Sequence, residues 1–362
     1  MSLTDPSKLQ SQTINFLRFP LIIGVILIHS HVLKAVYGGV NILEKVSMPY
    51  YIGVSYFISG VLATIAVPLF FFISGYLFFV KAEPFLCQGY FTKLKSRART
   101  LLVPYLIWNS LTALFYFSAQ ILLSGLMSGD KKAFIDYTWI DYLNIFWGID
   151  DGGPSNGPMW FVRDLMVAML LSPLLYVLIK RFSGYFILVS GIVWYFDWCP
   201  PAFEIGFPSL FYFSLGAYFS IHKQLFLETF AKFARPVYIL YPLLAALDWL
   251  TREGAYNLYF HRLGILVGMV FVVVICAKGL ATQRISVSTF LAGSSFFIFS
   301  TYDLLLQLLK KLTMHYLPPQ NDAMMFVFYF AWPTIVILIC LTLYALLQKT
   351  VPRLLAICTG GR

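Results

Sequence analysis

The sequence predicts an all-α, polytopic membrane protein with about ten transmembrane helices, and three observations carry that reading. Hydrophobic residues make up 59% of the 362 residues and charged residues only 12%, with a mean hydropathy of +0.77. Soluble domains carry roughly twice that charged fraction. Apolar runs of about twenty residues recur along the chain, enough for a helix to cross a hydrocarbon core about 30 Å thick. Lys and Arg are also shared unevenly between alternate connecting segments, as expected of a chain threaded back and forth through a bilayer.

The first span is placed near 16–34. Polar MSLTDPSKLQSQTIN leads into it with no small-residue cleavage site, so it reads as an uncleaved anchor. The second, 57–80, ends in aromatic PLFFFISGYLFF. The third, 101–124, follows basic KLKSRAR and has Pro104 in its first turn; the fourth, 160–179, holds Pro173. The fifth, sixth and seventh, 185–198, 207–221 and 236–250, are short for a bilayer, and Pro208 and Pro236 stand at their starts, where proline is tolerated. The last three, 256–276, 288–309 and 324–347, are long apolar runs. The reading divides the chain into an N-terminal cytoplasmic segment, 1–15, a membrane domain, 16–347, and a cytoplasmic tail, 348–362. No internal repeat and no separate soluble domain stand out.

With the N-terminus in the cytoplasm, sixteen Lys and Arg fall on inner segments and eight on outer ones, Lys310 and Lys311 among the eight. Arg18 and Arg163 remain at membrane level. The bias places both termini inside. The longest outer loop, about 125–158, contains polar, acidic FWGIDDGGPSNGP and faces an extracytoplasmic substrate. The net charge of +10 reads as helix anchoring; no concentrated basic patch of the kind that binds nucleic acid is present. The five cysteines are scattered and show neither a metal spacing nor a disulfide framework.

Ionisable groups inside a span are costly unless they face a cavity or a partner. Arg18 and His29 lie eleven residues apart. On an α-helix that is three turns plus about 20°, so they share a face about 16 Å apart along the axis. His31, displaced by about 200°, faces elsewhere. A histidine titrates near neutral pH and suits general-base work.

From here the sequence resembles a known family. RFPLIIGVILIH, an R-x10-H pattern in the first span, is similar to the signature of the acyltransferase-3 membrane acyltransferases. PLFFFISGYLFF at 68–79 resembles their Ser-Gly motif, and KLKSRARTLLVPYLIWN at 93–109 their basic segment. GPMWFVRDLMVAMLLSPLL at 157–175 resembles their Trp-Phe span, and LAGSSFFIFSTYDLLL at 291–306 their late motif. The five occur in family order over nearly the whole chain. Two departures stand out. Tyr302 occupies the place where many members have a late histidine, and the basic segment reads Arg-x-Arg where Arg-x-x-Arg is commoner.

The resemblance implies an O-acyltransferase, most often an acetyltransferase, of the cell inner membrane. It implies no permanently bound cofactor: acetyl-CoA or another acyl-CoA is consumed as donor, and the acceptor is a glycan or glycolipid. The bilayer is the other partner; nucleic acid is not, and the oligomeric state is not readable. His29 and Arg18 are the expected catalytic pair, with His29 the base and Arg18 deep in the donor entrance. Lys95, Arg97 and Arg99 are expected on the donor phosphates, which guanidinium groups hold with paired, charge-assisted bonds. Trp160, Arg163 and Tyr302 are the candidates on the acceptor side. For Arg163 an ion pair with Asp164 is the competing expectation, and for Trp160 an interfacial aromatic belt. Ser74 and Gly75 read as a close helix-packing site. His261 and Arg262 are placed where they reach the same cavity, His222 at an inner surface, and His315 in an outer loop. A transient acyl-histidine competes with direct transfer. A transporter of a small polar or anionic metabolite, and a noncatalytic partner in glycan assembly, are the rival functions.

Overall fold

The structure is a computed structural model that describes residues 5–34, 36–37, 40–41, 43, 47–80, 87–122, 132–148, 153–199 and 206–361. It is helical throughout, apart from a two-residue antiparallel pair, Val36–Tyr37 with Val40–Asn41. In chain order the α-helices are α1 (Pro6–Ser30), α2 (Pro49–Ser55), α3 (Ala66–Phe79), α4 (Cys87–Arg97), α5 (Val103–Leu122), α6 (Trp139–Asn144), α7 (Trp160–Leu170) and α8 (Ser172–Phe182). Then come α9 (Gly184–Tyr195), α10 (Phe207–Ile221), α11 (Phe226–Lys232), α12 (Ala234–Leu250), α13 (Asn257–Ala281), α14 (Thr289–Tyr316), α15 (Asp322–Thr350) and α16 (Pro352–Thr359).

Among the described residues, six helical stretches are long and apolar enough to cross a membrane: Pro6–Ser30, Pro49–Phe79, Gly89–Leu122, Asn257–Ala281, Thr289–Tyr316 and Asp322–Thr350. The count reaches eight if two bent pairs are each one span: α7 with α8, bent by 62°, and α11 with α12, bent by 77°. The expected fifth and sixth spans correspond to the shorter apolar helices Gly184–Tyr195 and Phe207–Ile221. The first helix differs from its expected 16–34 limits. It starts at Pro6 because proline suits the first turn and Asp5 accepts the Ser7 N–H at 2.9 Å, and it stops at Ser30.

The chain forms two compact units. Unit one comprises residues up to Ile28, Tyr56–Lys95 and Asp164–Ser295; unit two comprises His29–Ser55, Ser96–Arg163 and Phe296 onward. In unit one α3 and α10 touch backbone to backbone. A Cβ added at Gly75 would come 1.9 Å from the Phe213 carbonyl oxygen, and one at Gly216 would come 1.8 Å from that of Phe72. The Ser-Gly motif is thus a helix-packing device in its glycine, as small residues are at membrane helix interfaces. Around this seam Phe72 packs against Phe219, Phe226 and Phe230 at ring separations of 5.2–5.9 Å.

In unit two Asp322, in the first turn of α15, accepts the Tyr50 and Tyr51 N–H groups at 2.9 and 2.8 Å. It thereby satisfies two of the donors that the start of α2 leaves unpaired. At the other end of α15 the short α16 folds back onto α5. Trp108 Nε1 donates to the Cys358 carbonyl at 2.9 Å, and Phe297, Tyr344 and Leu355 pack with Trp108 and Leu347. Gly360, in the left-handed conformation at φ 70°, lies against the Thr100 carbonyl; a Cβ there would come within 2.2 Å of it. Thr100 belongs to a π-helical turn, Ala98–Leu102, that joins α4 to α5 and carries Arg99.

Candidate functional site

In unit two α14 presents a run of polar side chains unusual for an apolar helix: Ser300, Tyr302, Asp303, Gln307 and Lys310. Asp303, Gln307 and Lys310 recur at the i, i+4, i+7 spacing of one helix face. Gln307 Nε2 donates to Asp303 Oδ1 at 3.3 Å. Tyr302 is completely buried, and its ring lies 5.8 Å from the His29 ring, tilted by 57°. The Tyr302 hydroxyl is buried with no hydrogen-bond partner among the described residues. Lys310 Nζ donates to the His29 carbonyl oxygen at 2.8 Å. That carbonyl belongs to the last turn of α1, where carbonyls lack intrahelical donors and the helix dipole is negative. The charges of Asp303 and Lys310 both act on the His29 imidazole.

The segment before α7 is held against the same helix. Asn156 is only 2% exposed. Its N–H donates to Asn109 Oδ1 at 3.0 Å, and its Nδ2 donates to the Ser300 carbonyl at 2.9 Å and to Thr112 Oγ1 at 3.3 Å. Asn109 Nδ2 in turn donates to the Tyr105 carbonyl at 2.9 Å, so α5 fixes its orientation. Asn156 Oδ1 is buried without a partner among the described residues. Beside it, a Cβ on Gly157 would meet Asp303 Oδ2 at 3.7 Å. The Ser-Asn-Gly-Pro turn of the polar loop therefore abuts the helix that carries Tyr302, Asp303 and Lys310. Residues 123–131 and 149–152 of that loop, Asp150 and Asp151 included, lie outside the described residues.

The other expected site residues are placed as follows. Arg163 is buried, at 6% exposure; its Nη1 donates to the Trp147 carbonyl at 2.5 Å and its guanidinium stands 5.9 Å from the Trp147 ring centre. Trp160 opens α7 and is half-buried. Arg97 is half-buried and Arg99 exposed, at the junction of α4 and α5. These residues, with His29 and Tyr302, belong to unit two; Arg18, half-buried on α1, and Lys95, exposed on α4, belong to unit one. Lys93 stands apart from a phosphate clamp. Its Nζ donates to the Phe78 carbonyl at 2.5 Å, at the end of α3, and it rides over the Phe78 ring.

The family pattern described as an acyltransferase domain matches residues 12–345. The chain belongs to the acyltransferase-3 family. It is similar to the succinoglycan biosynthesis protein ExoH of Rhizobium meliloti (strain 1021), with 28% identity over 365 residues that cover 97% of this chain and 92% of that one. No solved structure matches it significantly. Membership makes the chain an acyltransferase, which sets aside the transporter and the noncatalytic partner as readings of it.

Several histidines of this acyltransferase sit differently from the sequence expectation. α1 ends before His31, so the 200° helical displacement does not apply to it. His31 instead shares a 2.8 Å hydrogen bond between its Nδ1 and Ser55 Oγ, and its ring stacks on Tyr51 at 6.1 Å. Burial, and after it the charge of Lys310, holds the His31 imidazole below its ordinary range. His315 lies in the last turn of α14 rather than in a loop. His261 and Arg262 are engaged inside unit one. His261 Nδ1 bonds Asp248 Oδ2 at 2.8 Å, and Arg262 Nη2 pairs with Asp197 Oδ1 at 2.7 Å. A cavity of ≈ 380 Å³ in unit one, lined by Leu250–Gly254, Tyr256 and Phe260, contains none of the expected site residues. Among the described residues no group of three or more His, Cys, Asp or Glu could hold a metal ion.

The residues that sequence reasoning missed are Lys310, Asp303 and Asn156. The expected span ends at 309, which puts Lys310 on an outer segment, yet α14 continues through it. The available signal was the helical spacing of Asp303, Gln307 and Lys310. For Asn156 no such signal exists: its role depends on partners 44–144 residues away.

Proposed function

We propose that this acyltransferase moves an acetyl or related acyl group from a coenzyme A thioester to a hydroxyl of an exported or cell-envelope glycan, at the inner membrane, with both termini cytoplasmic. The observation that carries the reading is His29. It sits at the end of a membrane helix, in ring contact with Tyr302 and within the fields of Asp303 and Lys310, in a chain of an acyltransferase family. The printed role of the relative, succinoglycan biosynthesis, supports a glycan acceptor.

In this mechanism Arg97 and Arg99, with Lys95, bind the donor's phosphates, and Arg18 attracts its anionic part toward the membrane. His29 takes the proton of the acceptor hydroxyl as that oxygen bonds to the thioester carbonyl carbon. The carbon–sulfur bond then breaks, and the imidazolium returns the proton to the departing thiolate, leaving an ester and free thiol. The Tyr302 hydroxyl donates a hydrogen bond to a substrate oxygen, while Trp160 and Arg163 border the acceptor. General-base catalysis contributes about 10²–10⁴-fold, about 3–5 kcal/mol of barrier.

The test has two arms. Envelope and secreted glycans from cells with and without the gene are compared by mass spectrometry for acyl esters; the reading requires an ester that disappears with the gene. The purified protein is then given radiolabelled acetyl-CoA and glycan from the deletion strain. Transfer must depend on His29: His29→Ala and His29→Gln both lose at least about a hundredfold, since glutamine cannot accept a proton near neutral pH. Retention of more than about a tenth of turnover in His29→Ala rejects the base assignment.

A further inference from the structure

We infer that Lys310 is the positioning residue for His29: its ammonium group fastens the last turn of α1 and thereby sets where the imidazole points. The inference rests on His29 being the base proposed above.

A lysine side chain inside an apolar helix is expensive unless its charge is used. Two features account for Lys310. The first is the 2.8 Å bond from its Nζ to the carbonyl of His29 itself. The bond is made to the backbone of the reactive residue, so it restrains the Cα from which the ring is hung. It also satisfies a carbonyl that α1 leaves open and places a cation at the negative end of the helix. The second is Asp303, seven residues earlier on the same face of α14, whose carboxylate interacts with the Lys310 charge.

The geometry needs such a restraint at this point. α1 ends at Ser30, so His29 lies in the turn where helices fray. On one side its ring meets Tyr302, whose hydroxyl has no partner among the described residues to hold it. Beyond it, His31 is held separately by Ser55 and Tyr51, which anchors the chain past the helix but does not reach the His29 carbonyl. Lys310 supplies that contact, and its charge acts on His31 as well. Because the fastening bond runs to a backbone carbonyl, it constrains position without occupying the imidazole nitrogens, which remain available for the hydroxyl proton. A displacement of about 1 Å at a reacting group costs about a hundredfold, so a positioning role of this kind is read in turnover and not in donor affinity.

The experiment uses the full-length protein in detergent micelles, with radiolabelled acetyl-CoA as donor and glycan from the deletion strain as acceptor. Lys310→Met keeps the length and apolar stem but cannot donate. It is expected to lower kcat 10- to 100-fold with the KM for acetyl-CoA changed less than threefold. Lys310→Arg, which can still donate to the carbonyl, is expected to recover at least a third of wild-type kcat. In a His29→Ala background Lys310→Met is expected to cost less than threefold, because a residue acting through His29 has nothing left to position. Lys310→Met with full turnover, or with a proportional loss in the His29→Ala background, overturns the inference. A loss confined to acetyl-CoA affinity also overturns it, since it would make Lys310 a donor ligand. Should Lys310→Met fold poorly, Lys310→Leu, which also lacks a donor, serves in its place with the same expectations. Failure of the base assignment is separately visible: there His29→Ala itself stays active, whatever Lys310 does.

Discussion

Removing one oxygen from Tyr302 is expected to make the protein more stable and less active at once. The hydroxyl is completely buried and lacks a hydrogen-bond partner among the described residues. A buried hydroxyl without a partner costs about 1–3 kcal/mol of folding free energy. Tyr302→Phe deletes that group and keeps the ring that packs 5.8 Å from His29, so the folded state gains roughly 1–2 kcal/mol. In thermal unfolding of detergent-purified protein this is a rise in Tm of about 1–3 °C. Turnover moves the other way. If the hydroxyl is held in reserve for a substrate oxygen, its loss removes one neutral hydrogen bond of about 1 kcal/mol, a fall in kcat/KM of roughly five- to tenfold. The assay pairs a fluorescence melt with acetyl transfer at matched protein concentration. A fall in Tm would mean that the hydroxyl has a partner in the folded protein. A thousandfold loss of turnover would make Tyr302 a catalytic group in its own right, and unchanged turnover would remove it from the substrate.

Replacing Arg97 and Arg99 together by Ala should weaken binding of a non-transferable acetyl-CoA thioether at least tenfold, while both changed to Lys restore it only in part, because Lys lacks the planar two-point fork; titration calorimetry reads this directly. Gly216→Leu should abolish the folded protein, since even a Cβ there would come 1.8 Å from a backbone oxygen of the opposing helix; monodisperse elution with native helicity would contradict the packing argument. His31→Ala should leave kcat within about twofold but lower stability by about 1 kcal/mol through loss of the Ser55 bond. Because the folded protein holds His31 below its ordinary range, the stability this residue contributes is present above about pH 6.5 and is lost as pH falls further. His31→Asn should flatten that part of the stability profile, as followed by melts between pH 5 and 8.

The membrane class and the R-x10-H helix were legible because hydropathy and helical spacing are local properties. Arg18 and His29 do share one helix, and Gly75 does pack helices, as its small size implied. The limits of α1 were not legible: residues 6–15 are polar yet helical, and hydropathy measures apolarity rather than helicity. Nor were the bends. Apolar sequence around Pro173 reads as one span, but α7 and α8 meet at 62°, at Leu171, whose N–H donates to the Val167 carbonyl and whose carbonyl accepts from Leu175. At the site His29 and Tyr302 could be named from the sequence, because each stands within a recognisable motif. Lys310 could not, because a basic pair beside a span end is as a rule a headgroup anchor, and only the tertiary contact to His29 distinguishes it.

The fold-back of α16 ties the last turn of the chain to the π-helical turn that carries Arg99. Trp108 is bonded to Cys358, and Gly360 is pressed against Thr100. For anyone handling the protein, the C-terminus is therefore not a neutral attachment point. A purification handle fused directly after Gly361, or a carboxypeptidase that trims back past Cys358, would pull on or uncap the turn beneath the basic segment. If Arg97 and Arg99 bind the donor as proposed, the damage would then register as poor donor recognition rather than as poor expression.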